Sequence, residues 1–338
     1  MYYVVMKSHD IRMNLATEQY LMNNRSFDAP LLLFYYEGPS VIVGRNQNTA
    51  EELNQDYIDA HDIVVTRRLS GGGAVYHDLG NLCFSFVVDA NASDFGDFKS
   101  FTQPIVDALH SMGATTAEVS GRNDILVDGK KFSGNAMYTR NGKTFSHGTL
   151  MLDVDMSVVP KVLNVPADKI ASKGIQSVRS RVTNLRPYLD PQYQDLTVPE
   201  FRDILLKRLF DVDSLDAIKD REYQITPEDQ AAIDRIYNEV YSNWDWVYGQ
   251  SPAYTQQKRQ HFDMGTIDAR LTTNEGKITD LHFFGDFFGA KNADELAQTL
   301  IGTVYDTAHL TEALNDVDTN AYFTGVPKED LIALLTRA

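Results

Sequence analysis

Lys131-Phe132-Ser133-Gly134-Asn135-Ala136-Met137-Tyr138-Thr139 and Thr144-Phe145-Ser146-His147-Gly148-Thr149-Leu150-Met151-Leu152-Asp153 are two β-rich runs joined by Arg140-Asn141-Gly142-Lys143. Asn-Gly between such runs is the strongest short hairpin signal, because both turn residues must take positive φ. The runs therefore pair antiparallel. Working outward, strands are expected at Leu31 to Tyr36, Ser40 to Gly44, Ile63 to Arg67, Asn81 to Val88 and Asp124 to Val127. Helical periodicity marks Arg12 to Asn24, Lys99 to Met112, Val198 to Phe210 and Glu228 to Tyr241. Hairpins with segregated helices predict an α+β fold, a mixed, mainly antiparallel sheet with flanking helices, rather than a doubly wound parallel sheet.

A chain of 338 residues exceeds most single cores. The small, polar, proline-containing stretch Val247-Tyr248-Gly249-Gln250-Ser251-Pro252 predicts a division into residues 1–248 and a small α+β domain at 249–338. In the latter, His261 to Leu271 and Lys277 to Phe284 read as two strands joined at Thr273-Asn274-Glu275-Gly276, with amphipathic helices at Ala293 to Ile301 and Lys328 to Arg337. Trp244, Trp246 and Tyr248 read as packing at the boundary. A net charge of −16 argues against nucleic acid as a partner, so any cationic patch is local and purposeful. One cysteine, Cys83, excludes a disulfide framework and a cysteine-built zinc site, and its place inside an apolar strand suits a structural thiol. No leader pattern and no apolar run of ~20 residues is present, so a cytoplasmic protein without a membrane partner is expected.

Three stretches carry the chemistry. In Arg67-Arg68-Leu69-Ser70-Gly71-Gly72-Gly73-Ala74-Val75-Tyr76-His77-Asp78, three glycines let backbone N–H groups wrap an anion or an elongated tail, and Arg67 and Arg68 offer countercharge. A tight loop between strands is the simpler alternative. In Asn123-Asp124 to Lys131-Phe132-Ser133, the hairpin signal Asp128-Gly129 brings a carboxylate near an amine. Asp124 could orient a hydroxyl or hold Mg²⁺, and Lys131 could sit over a phosphoryl group, unless the two are a surface pair. From Lys173 to Arg186 the chain carries cations and hydroxyls without an acid, suited to phosphate oxygens, to an acidic partner, or to a solvated loop. His147-Gly148-Thr149 reaches the same cleft across the hairpin, or His147 is a hydrogen-bonded strand residue. Walker A, the dinucleotide fingerprint, Gly-x-Ser-x-Gly and His-Glu-x-x-His are all absent. A glycine cradle, dispersed cations and no evident nucleophile suggest an activating enzyme that assembles two substrates; if a carboxylate attacks the α-phosphate of ATP, such a site must neutralise charge and hold the reactants in line without a covalent intermediate.

Arg68-x-Ser70-Gly71-Gly72-Gly73-Ala74-Val75-Tyr76-His77-Asp78-Leu79-Gly80-Asn81, Gly121-Arg122-Asn123-Asp124, Lys131-x-Ser133-Gly134, His147-Gly148-Thr149-Leu150, Lys173-Gly174-Ile175 and Ser177-Val178-Arg179-Ser180-Arg181-Val182-Thr183-Asn184-Leu185 together resemble lipoate-protein ligase A. The resemblance implies a fold related to biotin-protein ligases and class II aminoacyl-tRNA synthetases, and a ligase that forms lipoyl-AMP from lipoate and MgATP. Transfer would follow to a lysine of a lipoyl domain, on 2-oxoacid dehydrogenase E2 subunits or the glycine cleavage H protein. It assigns the lipoate side to Ser70, Gly71, Gly72, Gly73, His77, Ser133, His147, Gly148 and Thr149. The nucleotide side falls to Arg68, Gly73, Ala74, Val75, Tyr76, Asp124, Lys173, Ser177, Arg179 and Arg181, and Asp124, by its own chemistry, could also hold Mg²⁺. Lys131 stands between carboxylate and α-phosphate as the catalytic residue. The rival reading is an ATP-independent lipoyl or octanoyl transferase acting between carriers or from small amides, whose relatives use a catalytic cysteine.

Overall fold

A computed structural model describes residues 1–89, 96–121, 123–164, 181–249 and 254–337. The first half runs β1 (Tyr2–Val5), α1 (Ile11–Asn24), β2 (Leu31–Tyr35), β3 (Ser40–Val43), α2 (Thr49–Glu52), α3 (Gln55–Ala60), β4 (Val64–Arg67), β5 (Val75–His77), β6 (Asn81–Asp89), α4 (Phe98–His110), β7 (Glu118–Ser120), β8 (Asp124–Val127), β9 (Lys130–Arg140) and β10 (Lys143–Met151). A seven-stranded sheet forms in the order β1-β2-β6-β10-β9-β8-β7, parallel only between β1 and β2. A smaller sheet, β4-β3-β5, is parallel between β3 and β4 and antiparallel between β3 and β5. The mixed, mainly antiparallel architecture is the one the hairpins dictate.

Turn chemistry sets the register of β8, β9 and β10. Asn141 and Gly142 have φ of 52° and 73°, and Asp128 and Gly129 have 48° and 72°, the left-handed pair a two-residue hairpin needs. Strand β2, Leu-Leu-Leu-Phe-Tyr, is buried throughout because helices cover both faces of the sheet. Leu32 and Phe34 pack with α4 and with α6 (Val198–Phe210), while Leu31, Leu33 and Tyr35 pack with α1 and α7 (Pro227–Ile236). Helix α6 starts where it does because Thr197 and Glu200 form a capping box, and it ends at Asp211 in the left-handed region. Between β10 and α6, α5 (Val159–Val162) lies beside α3, and after α7 a π-turn at Tyr237–Tyr241 leads to α8 (Trp244–Val247).

The C-terminal part holds β11 (Gln256–Phe262), β12 (Gly265–Asn274) and β13 (Lys277–Gly285), an antiparallel sheet, with helices at Ala293–Leu300, Thr307–Ala313 and Lys328–Thr336. The sequence predicts two strands here and the structure has three. The run expected from His261 to Leu271 is broken after Phe262, where the chain doubles back and Gly265 takes φ 126°. Strand β11, Gln-Gln-Lys-Arg-Gln-His-Phe, is an edge strand, so it lacks the apolar alternation that would reveal it. Its own core, built on Ile267, Leu271, Leu281, Leu296 and Phe323, is separate from the cores of the larger part. Trp244 departs from the packing expectation, being 67% exposed and stacked on Tyr248. Among the described residues no helix is long and apolar enough to cross a membrane.

Candidate functional site

The glycine stretch bridges β4 and β5. Its backbone is tied to the loop after β3 by Arg68 N–H to Val43 O at 3.0 Å and Arg45 N–H to Ser70 O at 2.9 Å. Glycine is demanded at two positions. A Cβ on Gly71 would lie 2.4 Å from the Phe287 carbonyl oxygen, and Gly72 has φ 94°. Gly73, in contrast, faces open space.

The two arginines divide their roles. Arg67 is fully buried and donates to the carbonyls of Gly44, Arg45, Gln47, Trp246 and Val247 and to Thr49 Oγ1, at 2.7–3.1 Å. Burial, and then Arg45, push it down to about 9, still cationic at neutral pH. It is a structural clasp, and the expectation that it offers countercharge to an anion is corrected. Arg68 lines the cleft and donates to the carbonyls of Gly71 and Gly73, both at 2.8 Å, to Ile42 O and to Ser70 Oγ, with burial pushing it down to about 10.

A cleft of about 510 Å³ opens between the glycine stretch, β9, β10 and the small domain. Ile11 and Leu15 of α1, Tyr35, Ile42 and Val75 make one part of its wall apolar, and most of that part is buried. The other part is polar, with Asn123, Asp124, Lys131 and Thr149. Lys131 Nζ is 2.7 Å from Asp124 Oδ1, and the two side chains are 38% and 35% exposed. The strand is braced from outside, since Lys131 N–H donates to Arg181 O at 2.6 Å and Thr183 N–H donates to Lys131 O at 2.8 Å. Asn135 and Asn123 exchange bonds across β8 and β9, and Gly134 N–H donates to Thr149 Oγ1 at 3.2 Å.

Behind the glycine stretch runs a buried polar chain. Ser70 Oγ lies 2.8 Å from His147 Nε2, and His147 Nδ1 lies 3.1 Å from Glu18 Oε1. Glu18 sits on the face of α1 that carries Ile11 and Leu15, at the i+7 position. A glutamate on the helical face that also carries Ile11, Asn14 and Leu15 is the signal for it in the sequence.

Of the expected residues, Arg68, Gly72, Gly73, Ala74, Val75, His77, Asp124, Lys131, His147, Gly148 and Thr149 line this cleft. Ser70 and Ser133 lie buried behind the wall, and Gly71 rests against Phe287. Tyr76 is not brought to the cleft. Strand alternation turns Val75 and His77 inward and Tyr76 outward, onto Val41, Val43 and Leu53, where burial and then Asp78 push its hydroxyl up to about 12. Arg181 is exposed and contributes its carbonyl. Lys173, Ser177 and Arg179 lie outside the described residues, as does Arg122.

The small domain reaches the site, which the sequence did not foretell. His261, Asp263, Asp286 and Phe288 line the cleft, and the Phe288 ring lies 2.9 Å from where a Gly72 Cβ would stand. Arg270 clamps Glu51 with two bonds of 2.6 and 2.5 Å, and Gly285 N–H donates to Asn46 O at 2.8 Å.

Residues 10–210 match the lipoyl protein ligase A/B catalytic domain, and residues 251–335 match the bacterial lipoate protein ligase C-terminus. The chain is 45% identical to the lipoate-protein ligase LplJ of Bacillus subtilis over 97% of both chains. Its fold is similar to that of LipL1 of P. falciparum, with a TM-score of 0.80 and 24% identity, covering 100% of this chain and 99% of that one. It is also similar to a lipoate-protein ligase A whose crystal structure is bound with ATP, with a TM-score of 0.59 and 26% identity over 74% of this chain and 99% of that one.

Proposed function

The chain belongs to the lipoate-protein ligase family, and from that premise we propose that it activates free lipoate with ATP and transfers the lipoyl group to a lysine of lipoyl domains on 2-oxoacid dehydrogenase E2 subunits or glycine cleavage H protein. The observation that carries the proposal is Lys131, a half-exposed ammonium in a cleft whose wall is apolar in one part and polar in the other. An acyl chain suits the first part and a triphosphate the second. In the first half-reaction a lipoate carboxylate oxygen bonds to the α-phosphorus and the bond to pyrophosphate breaks. Lys131 lowers the charge repulsion between the two anions and stabilises the crowded phosphoryl oxygens. In the second, the acceptor amine attacks the acyl carbon of the mixed anhydride, loses a proton, and AMP leaves. No covalent intermediate with the chain is required.

The loop pinned by Arg68 supports the backbone role proposed for Gly71, Gly72 and Gly73, and Lys173, Ser177, Arg179 and Arg181 are proposed to cover the adenylate. Asp124 would hold Mg²⁺. Its Oδ1 is engaged by Lys131, so the ion would be held by the other carboxylate oxygen together with phosphate oxygens, the hard-oxygen set Mg²⁺ prefers. Residues 1–248 are read as the catalytic domain and 249–338 as an accessory domain in a cytoplasmic enzyme. The accessory domain is proposed to move when the adenylate forms, since its Phe288 lies against the glycine stretch at Gly72 with no room for even a Cβ between them.

The rival transferase would need Cys83 as nucleophile, and Cys83 does line the cleft. Burial, and then Glu37, push its thiol well above the usual range, so it stays protonated and weakly nucleophilic. The test is the intact mass of a lipoyl domain incubated with the protein and lipoate, with and without MgATP. A lipoyl-sized increase only with ATP supports the ligase reading. No increase in either tube, followed by modification from a lipoyl or octanoyl carrier, overturns it.

A further inference from the structure

Beside the groups that meet the two substrates, and sharing His77 with the lipoate side, one cluster joins three kinds of metal donor. Glu37 follows β2, His77 ends β5 and Cys83 lies in β6 opposite Tyr35. The three are buried, and their donor atoms all lie within 4.8 Å of one another. Cys83 Sγ is 3.5 Å from Glu37 Oε1 and 3.6 Å from His77 Nδ1, while Nδ1 and Oε1 are 2.5 Å apart.

We propose that Glu37, His77 and Cys83 form a binding site for a thiophilic divalent cation, with zinc the matching ion, in the wall of the acid-binding cleft. Donor atoms around a tetrahedral zinc stand ~3.3–3.6 Å apart, given Zn–N and Zn–O near ~2.0 Å and Zn–S near ~2.3 Å. Both sulfur distances already meet that spacing. The carboxylate–imidazole contact must widen by roughly 0.8 Å, which is the displacement of the proton between them by the ion. One cysteine rules out a thiolate-rich site, yet carboxylate, imidazole and a single thiolate make a complete three-donor set. Because His77 and Cys83 line the cleft, the fourth position opens onto it.

Two further observations point to a ligand. Glu37 Oε2, His77 Nε2 and Asn81 Oδ1 are buried and have no hydrogen-bond partner among the described residues. A cation held by Glu37 and His77 Nδ1 would engage the unpartnered Glu37 Oε2, while His77 Nε2 and Asn81 Oδ1 keep their need for a partner, so the carboxylate is the atom that points to a ligand. Second, Asn81 Nδ2 donates to Cys83 Sγ at 3.1 Å, a bond that suits a thiolate better than a thiol and is the usual support behind a metal-bound sulfur.

The site would sit within the cleft read as the lipoate pocket, but its test needs neither lipoate nor ATP, so either reading can fail alone. The metal-free, reduced protein is titrated with Co²⁺. One equivalent should give a thiolate-to-cobalt charge-transfer band with tetrahedral visible bands, and Zn²⁺ should bleach both. Cys83→Ser should abolish the charge-transfer band, and Glu37→Gln should weaken binding by at least ~10-fold, as should Asn81→Ala. Circular dichroism checks that each variant folds, and His309→Ala, at an exposed Asp306 pair remote in sequence, should bind like the parent. Absence of the band in the folded parent, or a band that survives Cys83→Ser, overturns the proposal and leaves a hydrogen-bonded Glu–His pair beside an inert thiol.

Discussion

Replacing Lys131 by alanine should leave the fold intact and cripple lipoate activation. The only ion pair at its ammonium among the described residues is with Asp124 at 2.7 Å, with both side chains more than a third exposed, so losing it should cost about 0–1 kcal/mol of stability. Its electrostatic effect on a phosphoryl oxygen at ~3 Å is ~1.4 kcal/mol in bulk water and ~5.5 kcal/mol at an effective dielectric of 20. A half-exposed position lies between these limits, so about 3–4 kcal/mol, or roughly 10²–10³-fold in rate, is expected. Asp124 sharpens the test. With Lys131 gone its carboxylate faces the triphosphate unopposed, so Lys131→Ala/Asp124→Asn should be less impaired than Lys131→Ala alone if Asp124 serves mainly to hold the lysine. A double variant far worse than the single would instead make Asp124 an essential Mg²⁺ ligand. The assay is pyrophosphate release with lipoate and MgATP, run beside transfer from supplied lipoyl-AMP, which should be much less affected. Near-normal pyrophosphate release by Lys131→Ala would refute the role assigned to this residue.

Arg67→Lys should lose about 3 kcal/mol, since an ammonium has three donors for the six oxygens the guanidinium now satisfies; thermal unfolding should fall by roughly 4–6 °C, and an unchanged midpoint would contradict the clasp. Asp229 reports on pH. Burial alone would raise its pKa, but bonds from the Thr226 N–H, the Tyr20 and Tyr223 hydroxyls and Arg25 prevail and hold it below the usual carboxylate range. Its stabilisation is therefore full above the unfolded value of ~3.9 and is lost as pH falls through the lower folded value, so Asp229→Asn should flatten the acid limb of denaturant-measured stability. Glu18→Gln should weaken lipoate binding about tenfold by loosening His147, with KM for lipoate rising more than kcat falls; equal loss in both would place Glu18 elsewhere in the mechanism. Phe288→Ala should ease release of the small domain from Gly72, seen as a larger radius of gyration by small-angle scattering with lipoyl-AMP than without; identical curves for parent and variant, each with and without the adenylate, would count against domain motion.

Residues close in sequence settled their own geometry. Asn141-Gly142 and Asp128-Gly129 demand positive φ in pairs, so β8, β9 and β10 were legible, and with them the meeting of Asp124 and Lys131. Thr197 and Glu200 likewise delimit α6 from within one turn. The match of the glycine, lysine and histidine stretches to a family carried the chemistry. Even Tyr76 was decidable from alternation, since Val75 and His77 on either side face the cleft. Contacts between distant segments were not legible, because no local pattern encodes which buried faces meet. Arg67 looked like a partner of Arg68, and only packing against the residues around Trp246 turned it into a clasp on carbonyl oxygens. Glu18 joins Ser70 through His147, and Glu37 meets His77 and Cys83, only once α1 and the two sheets are assembled. The small domain's Asp263, Asp286 and Phe288 enter the cleft through docking that a bidentate Arg270–Glu51 pair holds across the interface, a tertiary event with no trace in either segment alone.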